Sequence, residues 1–369
     1  MKDVLDNVEK WLHQGYSVAL ATVVGKQGSS PRDTGTVMAV SSNGEVAGSI
    51  SGGCVEGAVV EEALAVIAQG KPRLISYGVA DELGFEVGLT CGGTIQIFVE
   101  RLARQNVEDL PLDTLFEALR RSQKKPLILC TMVEGRKAGA KMIVTSQGTL
   151  IGSLDNPDLD RVVARDAQGL LAQGLNELRH YGSKGERLET DVAVFIQSFA
   201  LAPHLIVFGA VDFSLALCKL GKMLGYRITV CDARSRFATP ARFPDADEVV
   251  VSWPSEYLES IHVDDRTIIL VLTHDPKFDV PALMSAVRTP AAYIGAMGSR
   301  KANADRLRRL KEAGMNNTEL ARIAAPIGLD IGASTSEETA VSIMAEIIAL
   351  KSGRSGGRLS QNQNPIHPR

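Results

Sequence analysis

The sequence predicts an α/β protein in two parts: a duplicated α/β domain over residues 1–200, then a Rossmann-like domain with a doubly wound parallel sheet over 201–351. Two observations carry this. One stretch of the first part recurs, in a single register, 104 residues further on. From His204 onward, short apolar runs alternate with helical patterns, as in a parallel sheet covered on both faces. With 369 residues, 45% of them hydrophobic, the chain is long and apolar enough to fill a core in each part.

The elements follow in order. Residues 3–14 read as an amphipathic helix, with Val4, Leu5, Val8, Trp11 and Leu12 on one face. Ser17–Val24, Thr36–Val40 and Glu45–Ile50 read as strands, the last two joined by the hairpin signal Asn43-Gly44. Val55, Val59, Val60, Leu64 and Ile67 then recur at helical spacing, and Thr94–Glu100 closes the unit as a strand. Leu102–Leu112 reads as a polar linker. The same order then returns. Gly35–Val40 matches Gly139–Val144, Gly48-Ser49-Ile50 matches Gly152-Ser153-Leu154, and Ala68-Gln69-Gly70 matches Ala172-Gln173-Gly174, which places the two repeats at about 15–100 and 125–200.

The repeat is most informative where it fails, because both copies must carry what the fold needs. Only the first copy has Gly28-Ser29-Ser30-Pro31-Arg32, Ser51-Gly52-Gly53-Cys54 and Leu89-Thr90-Cys91-Gly92-Gly93. The second reads Asp155-Asn156-Pro157-Asp158 in place of the Gly-Gly-Cys turn. Arg32 offers a planar fork for an anion, the Gly-Gly turns offer backbone amides, and the two thiols offer soft ligands or nucleophiles. Cys54 falls near a helix start, where a phosphate is favoured and a thiol ionises more readily. A tight turn around a small core thiol accounts for the same letters.

Composition excludes some classes. A net charge of −3 supplies no basic surface for nucleic acid or an anionic membrane. No apolar run reaches the length of a membrane span and the first residues lack a signal core, so a cytoplasmic protein is expected. The five cysteines are scattered without Cys-x-x-Cys spacing and the six histidines form no close pair, which argues against disulfides and a zinc site.

In the second part His204–Phe208, Arg227–Cys231, Glu248–Val251, Thr267–Thr273, Ala291–Gly295 and Ile323–Ala325 read as strands. Leu215–Leu224, Val280–Val287, Lys301–Ala313 and Glu337–Leu350 read as helices. Ligands of such folds sit at the carboxyl ends of the strands, where Gly209, Asp232, His274 and Gly298-Ser299-Arg300 fall. Asp232 lies where an acid meets a ribose hydroxyl. Yet the turn Gly209-Ala210-Val211-Asp212 lacks the second glycine of a dinucleotide fingerprint and adds a negative charge. Ser334-x-x-Glu337 reads as a capping box, and residues 352–369 as a disordered tail. A homodimer sealed by the apolar face of the last helix fits the pattern, as does a core role for that face.

These motifs, together with Tyr293–Arg300 and Pro326-Ile327-Gly328-Leu329-Asp330-Ile331-Gly332-Ala333, resemble the signatures of the XdhC/CoxI family, accessory proteins of molybdenum hydroxylases. The resemblance implies a non-catalytic chaperone that binds the molybdenum cofactor, as molybdopterin or a dinucleotide form. It would protect the cofactor while a cysteine desulfurase partner sulfurates it, then deliver it to an apoenzyme such as xanthine dehydrogenase. Carried onto this chain, Arg32, Ser49, Ser51, Gly52, Gly53, Cys54, Cys91, Gly92, Gly298, Ser299 and Arg300 would contact the cofactor, with Cys54 near the molybdenum. The family's Gly-x-Gly-His turn is replaced here by Gly209-Ala210-Val211-Asp212. The competing reading is an NAD(P)-dependent oxidoreductase with His274 as acid/base and Gly209 and Asp232 on the nucleotide.

Overall fold

A computed structural model describes residues 1–28, 32–78, 93–102, 110–122, 124–186 and 189–362. The chain divides into two compact units, Met1–Leu201 and a second beginning at Ala202.

The first unit consists of two copies of one arrangement. Copy one is α1 (Lys2–His13), β1 (Val18–Gln27), β2 (Val37–Ser41), β3 (Val46–Gly48), α2 (Glu56–Gln69), β4 (Arg73–Tyr77) and β5 (Thr94–Leu102). Copy two is α3 (Leu112–Arg121), β6 (Leu127–Glu134), β7 (Lys141–Thr145), β8 (Leu150–Gly152), α4 (Pro157–Gln173), β9 (Glu177–Tyr181) and β10 (Val192–Phe199). Their antiparallel sheets have the same order, β3-β2-β1-β5-β4 and β8-β7-β6-β10-β9. The registers also correspond: Val18 pairs with Ser41 and Leu102, and Leu127 with Thr145 and Phe199. The repeat is therefore larger than the sequence pattern indicates. It begins with a helix before the first strand and carries an additional edge strand, β4 or β9. Helix α3 lies where the reading from the sequence ends its linker, and its buried face is Leu112, Leu115, Phe116 and Leu119.

Alternation along the strands divides the core into layers. Val18, Leu20 and Ala39 of one sheet and Leu127, Leu129 and Ile143 of the other pack with α1 and α3. Their neighbours Ala19, Ala21 and Val23 point the opposite way, onto α2. Ile128, Cys130 and Met132 do the same onto α4. Because both faces of β1 and β6 are covered, these strands read as continuous apolar runs rather than alternating ones. Gly48 and Gly152, equivalent in the repeat, both have φ near +84°, and a Cβ on either would lie 2.4 Å from a carbonyl oxygen of the neighbouring strand. Only glycine fits at that corner.

The second unit comprises β11 (His204–Phe208), α5 (Asp212–Met223), β12 (Arg227–Cys231), β13 (Glu248–Val250), α6 (Pro254–Ser260), β14 (Ile268–Val271) and α7 (Pro276–Ala286). It continues with β15 (Tyr293–Ala296), α8 (Arg300–Glu312), α9 (Asn317–Leu320), β16 (Ile323–Ala324) and α10 (Ser336–Lys351). Its six strands are parallel in the order β13-β12-β11-β14-β15-β16. One face is covered by α5 and α10, the other by α6 and α7, which is the doubly wound arrangement expected. The chain reverses direction across the sheet between β11 and β14, and that crevice is where such folds take ligands.

One sequence reading is corrected here. The capping box of α10 is one residue later than expected, Thr335 with Glu338. Of the two roles expected for the apolar face of α10, the core role is met: Ile343, Met344 and Ile347 are buried beside α5, with Val341 and Ile348 exposed. Beyond α10 the described residues run to Asn362, with a 3-10 turn at Leu359–Gln361, and residues 363–369 lie outside those described. Among the described residues no helix is long and apolar enough to cross a membrane.

Candidate functional site

Strand pairing brings the described parts of the first copy's motifs, Gly28, Ser49–Cys54 and Gly93, to one end of its sheet. Gln27, the last residue of β1, pairs with Thr94, the first of β5, so Gly28 and Gly93 leave the sheet side by side. β3 ends at Gly48 beside Met38, and its antiparallel run delivers Ser49–Cys54 to the same end. Arg32 is exposed on the loop before β2. Cys91 and Gly92, with Ser29, Ser30 and Pro31, lie outside the described residues.

The Ser49–Gly53 turn is filled by a residue that the motif comparison does not single out. Gly52 and Gly53 have φ of +77° and +118°, and their amides turn inward rather than toward an incoming ligand. Glu56, at the first position of α2, occupies the centre of the turn. Its Oε1 accepts from the Ser49 hydroxyl at 2.8 Å and from the Ser51 and Gly52 amides at 2.9 Å each. Its Oε2 accepts from the Gly53 amide at 2.8 Å and from the Ser51 hydroxyl. Burial alone would raise the Glu56 carboxyl, but the hydrogen bonds from Ser51 and Ser49 outweigh it and bring the pKa down to about 2. The donors that the sequence assigns to a cofactor, Ser49, Ser51, Gly52 and Gly53, are thus committed to the chain's own anion.

Copy two explains why. Asp160, 104 residues after Glu56, accepts from the Ser153 hydroxyl at 2.6 Å and from the Leu154 amide at 2.7 Å. A carboxylate at this corner therefore belongs to the fold, and Ser49 with it. What belongs to copy one alone is the wider turn that surrounds the longer acid. A signal is present in the sequence: an acid in the first helical turn, following a serine and glycine turn, is a capping pattern. Cys54 sits just outside this turn, half-buried against the apolar layer under α2. Among the described residues no group of three or more His, Cys, Asp or Glu side chains could hold a metal ion.

Beside the ends of β1 and β5 lies a cavity of about 640 Å³, within the range of small-molecule pockets. Its polar lining comes from both copies: Lys26, Gln27, Thr34, Ser76, Thr94 and Gln96 from the first, Asn176 and Glu177 from the second. Asn176 also donates to the Thr34 carbonyl at 2.7 Å, and Gln197 to that of Gly35 at 2.9 Å, so copy two holds the turn that follows Arg32.

In the second unit Asp232 stands where the spacing places it, at the end of β12, but is 2% exposed and fully engaged. It accepts from the Ala210 amide at 2.8 Å and from the amide and guanidinium of Arg234 at 2.7–2.9 Å. Burial would raise its pKa, and the Arg234 and amide hydrogen bonds lower it on balance. Arg242 sits over the same turn, donating to the Ala210 carbonyl at 3.4 Å and lying 3.6 Å from Asp212. A ribose hydroxyl would have to displace Arg234. Gly209, with φ +116°, is required by packing, since a Cβ would meet Thr273 and Leu272 at 3.1–3.3 Å. The dinucleotide roles expected of Gly209 and Asp232 are thus taken over by internal contacts. Ser299 likewise caps α8, accepting from the Ala302 amide, and the Gly298 carbonyl accepts from Asn303. Arg300 is exposed at that helix start.

The chain matches two family models. One, described as the XdhC and CoxI family, matches residues 11–78 and 120–182, and the other, the XdhC Rossmann domain, matches 205–347. A protein of Bacillus subtilis (strain 168) described as a probable xanthine dehydrogenase subunit is 28% identical over 92% of this chain and 95% of its own length. The molybdenum cofactor insertion chaperone PaoD of Escherichia coli (strain K12) is 25% identical over 92% of this chain and 85% of its own. A crystal structure from Bacillus halodurans described as a xanthine dehydrogenase has the same fold, with a TM-score of 0.69 at 23% identity over 97% of this chain and 98% of that one. The first family model falls on both copies of the duplicated unit and the second on the parallel sheet, so the chain belongs to the XdhC and CoxI family.

Proposed function

We propose that this chain is a molybdenum-cofactor chaperone: it holds the cofactor, shields it while a cysteine desulfurase sulfurates it, and passes it to a molybdenum hydroxylase such as xanthine dehydrogenase. The observation that carries the reading is the 640 Å³ cavity at the sheet end from which the first copy's unshared motifs leave. Its carboxamides Gln27 and Gln96 present both donors and acceptors, which suits the mixed edge of a pterin, while Asn176 is held between the Thr34 carbonyl and the Ser198 amide. Arg32 is close in sequence to that end and supplies a fork for a phosphate. Cys54 supplies a soft donor near the same end. The Ser49–Gly53 turn does not fit a cofactor phosphate while Glu56 fills it, so it is assigned to holding the loop in shape. When bound, the cofactor would bring the molybdenum and its ligands; the chain's part is to bind, orient and exclude water. The relatives' names support the direction of this reading, since PaoD is described as inserting the same cofactor. An NAD(P) oxidoreductase is disfavoured by the Asp232–Arg234 pair.

The test is cofactor retention. Protein produced in cells that make the cofactor is assayed for molybdenum and for the fluorescent oxidised pterin released on denaturation, as wild type and as Cys54→Ala and Gln96→Leu. Wild type should retain close to one pterin per chain and Gln96→Leu much less. A wild-type chain that carries none under anaerobic purification contradicts the reading.

A further inference from the structure

Helix α8 carries six cations against two acids, so it is +4 within a chain of −3 and leaves the remainder at −7. At 3.6 residues per turn, Arg300, Lys311, Arg308 and Lys301 fall within about 100° of one another and form a stripe about 16 Å long. All four are exposed. Arg308 is shared between Asp305 at 3.6 Å and Glu312 at 3.2 Å. The side chains of Arg300, Lys301 and Lys311 make no hydrogen bond or ion pair among the described residues. By contrast Arg120, Arg136, Arg161 and Arg179 of the first unit are each spent on a neighbouring acid.

The fold gains nothing from the start of this stripe. Each other helix of the second unit has an acid in its first turn, Asp212, Glu256, Asp279, Glu319 and Glu337, where the helix dipole favours negative charge. α8 has none there, and Arg300 and Lys301 oppose the dipole. The helix is nevertheless held firmly from its other side. Asn303, Arg306 and Leu310 are buried, and the Arg306 guanidinium donates to Asp279 of α7 at 2.8 Å and to the Met297 carbonyl at 2.9 Å. A local rule broken on a rigid element marks function rather than folding.

Among the described residues, none of the exposed large apolar side chains lies on α8, so this face offers charge without an apolar centre. Such a face speeds encounter and releases readily, which suits a transient complex. An extended polyanion would also meet the negative remainder of the chain, whereas a compact patch of carboxylates on another protein would not. We propose that the exposed side of α8 docks an acidic patch of a partner protein during handover, with Lys301 and Lys311 among its contacts. The proposal rests on the chaperone reading in taking the molybdenum hydroxylase as that partner, and it places no part of the cofactor on this helix.

Association of the full-length chain with cofactor-free xanthine dehydrogenase is followed at about 50 and 300 mM salt, for wild type, Lys301→Glu and the double variant Lys301→Glu, Lys311→Glu. Arg300 stays in place because the family resemblance puts it among the cofactor contacts. At low salt the double variant should associate roughly tenfold or more slowly than wild type, and the two should converge at high salt. Lys301→Glu alone should slow association while slightly raising the melting temperature, since an acid in the first turn suits the dipole; a purely structural role would move both in one direction. Association that ignores the reversals, or no association by wild type, overturns the proposal. So does equal, equally charge-dependent binding of poly(U) RNA or phosphatidylserine vesicles, which would assign the stripe to polyanions in general. Pterin retention is read on the same proteins. Retention without charge-dependent association sinks the docking surface alone, and charge-dependent association by a wild type that retains no pterin sinks the cofactor reading alone.

Discussion

Replacing Lys141 with Met should lower the stability of the first unit by about 3–5 kcal/mol, the usual effect of stranding one member of a buried ion pair. The Lys141 ammonium, on β7 of copy two, lies 2.6 Å from each carboxylate oxygen of Glu100, on β5 of copy one. Both side chains are 8% exposed, so neither charge recovers much hydration when its partner is lost. The duplication also supplies the remedy. The equivalent positions are Val37 and Gln197, neutral residues that the same fold accommodates. The double variant Lys141→Val, Glu100→Gln should therefore regain most of the loss. Urea unfolding of the three proteins decides it. A single variant within about 1 kcal/mol of wild type would mean that water reaches the pair and screens it.

Glu56→Gln should cost about 2 kcal/mol near neutral pH, because an amide nitrogen then faces donors that a carboxylate had accepted. The figure is set below the sum of the individual hydrogen bonds, since Glu56 is only half-buried. The pH dependence has a definite sign. The carboxyl is depressed from its ordinary value of 4.5 to about 2 in the folded chain. Its stabilisation is therefore complete above about 4.5 and is lost as pH falls toward 2. The stability gap between wild type and Glu56→Gln should be full at pH 7 and shrink between pH 4.5 and 2. A gap that is constant or widens on acidification would show that Glu56 is not the anion that holds the turn.

Much of the architecture is legible without coordinates, for physical reasons that particular residues make plain. A strand buried on both faces leaves a continuous apolar run, which is why Val18–Val24 and Leu205–Val207 are recognisable. The offset between the two copies locates the second sheet from the first. Helix α3 escapes notice because its own last-turn charges, Arg120 and Arg121, and the polar stretch before it mask a short apolar face. The site is legible only in outline. Spacing places Asp232 correctly at the end of β12, but a one-dimensional pattern does not reveal that Arg234, two residues on, folds back onto it. Gly52 and Gly53 are recognisable as a turn that presents amides; their partner Glu56 is hidden in the helix that follows.

Handover tests the central claim most directly. Wild-type protein loaded with molybdenum cofactor is mixed with a cofactor-free molybdenum hydroxylase, beside an equal amount of free cofactor, and hydroxylase activity is followed together with the pterin remaining on each protein. The chaperone account predicts that pterin leaves this chain as it appears on the hydroxylase, and that activity rises further than with free cofactor under air. Pterin that stays on this chain while the hydroxylase remains inactive, or activation no better than with free cofactor, would contradict it.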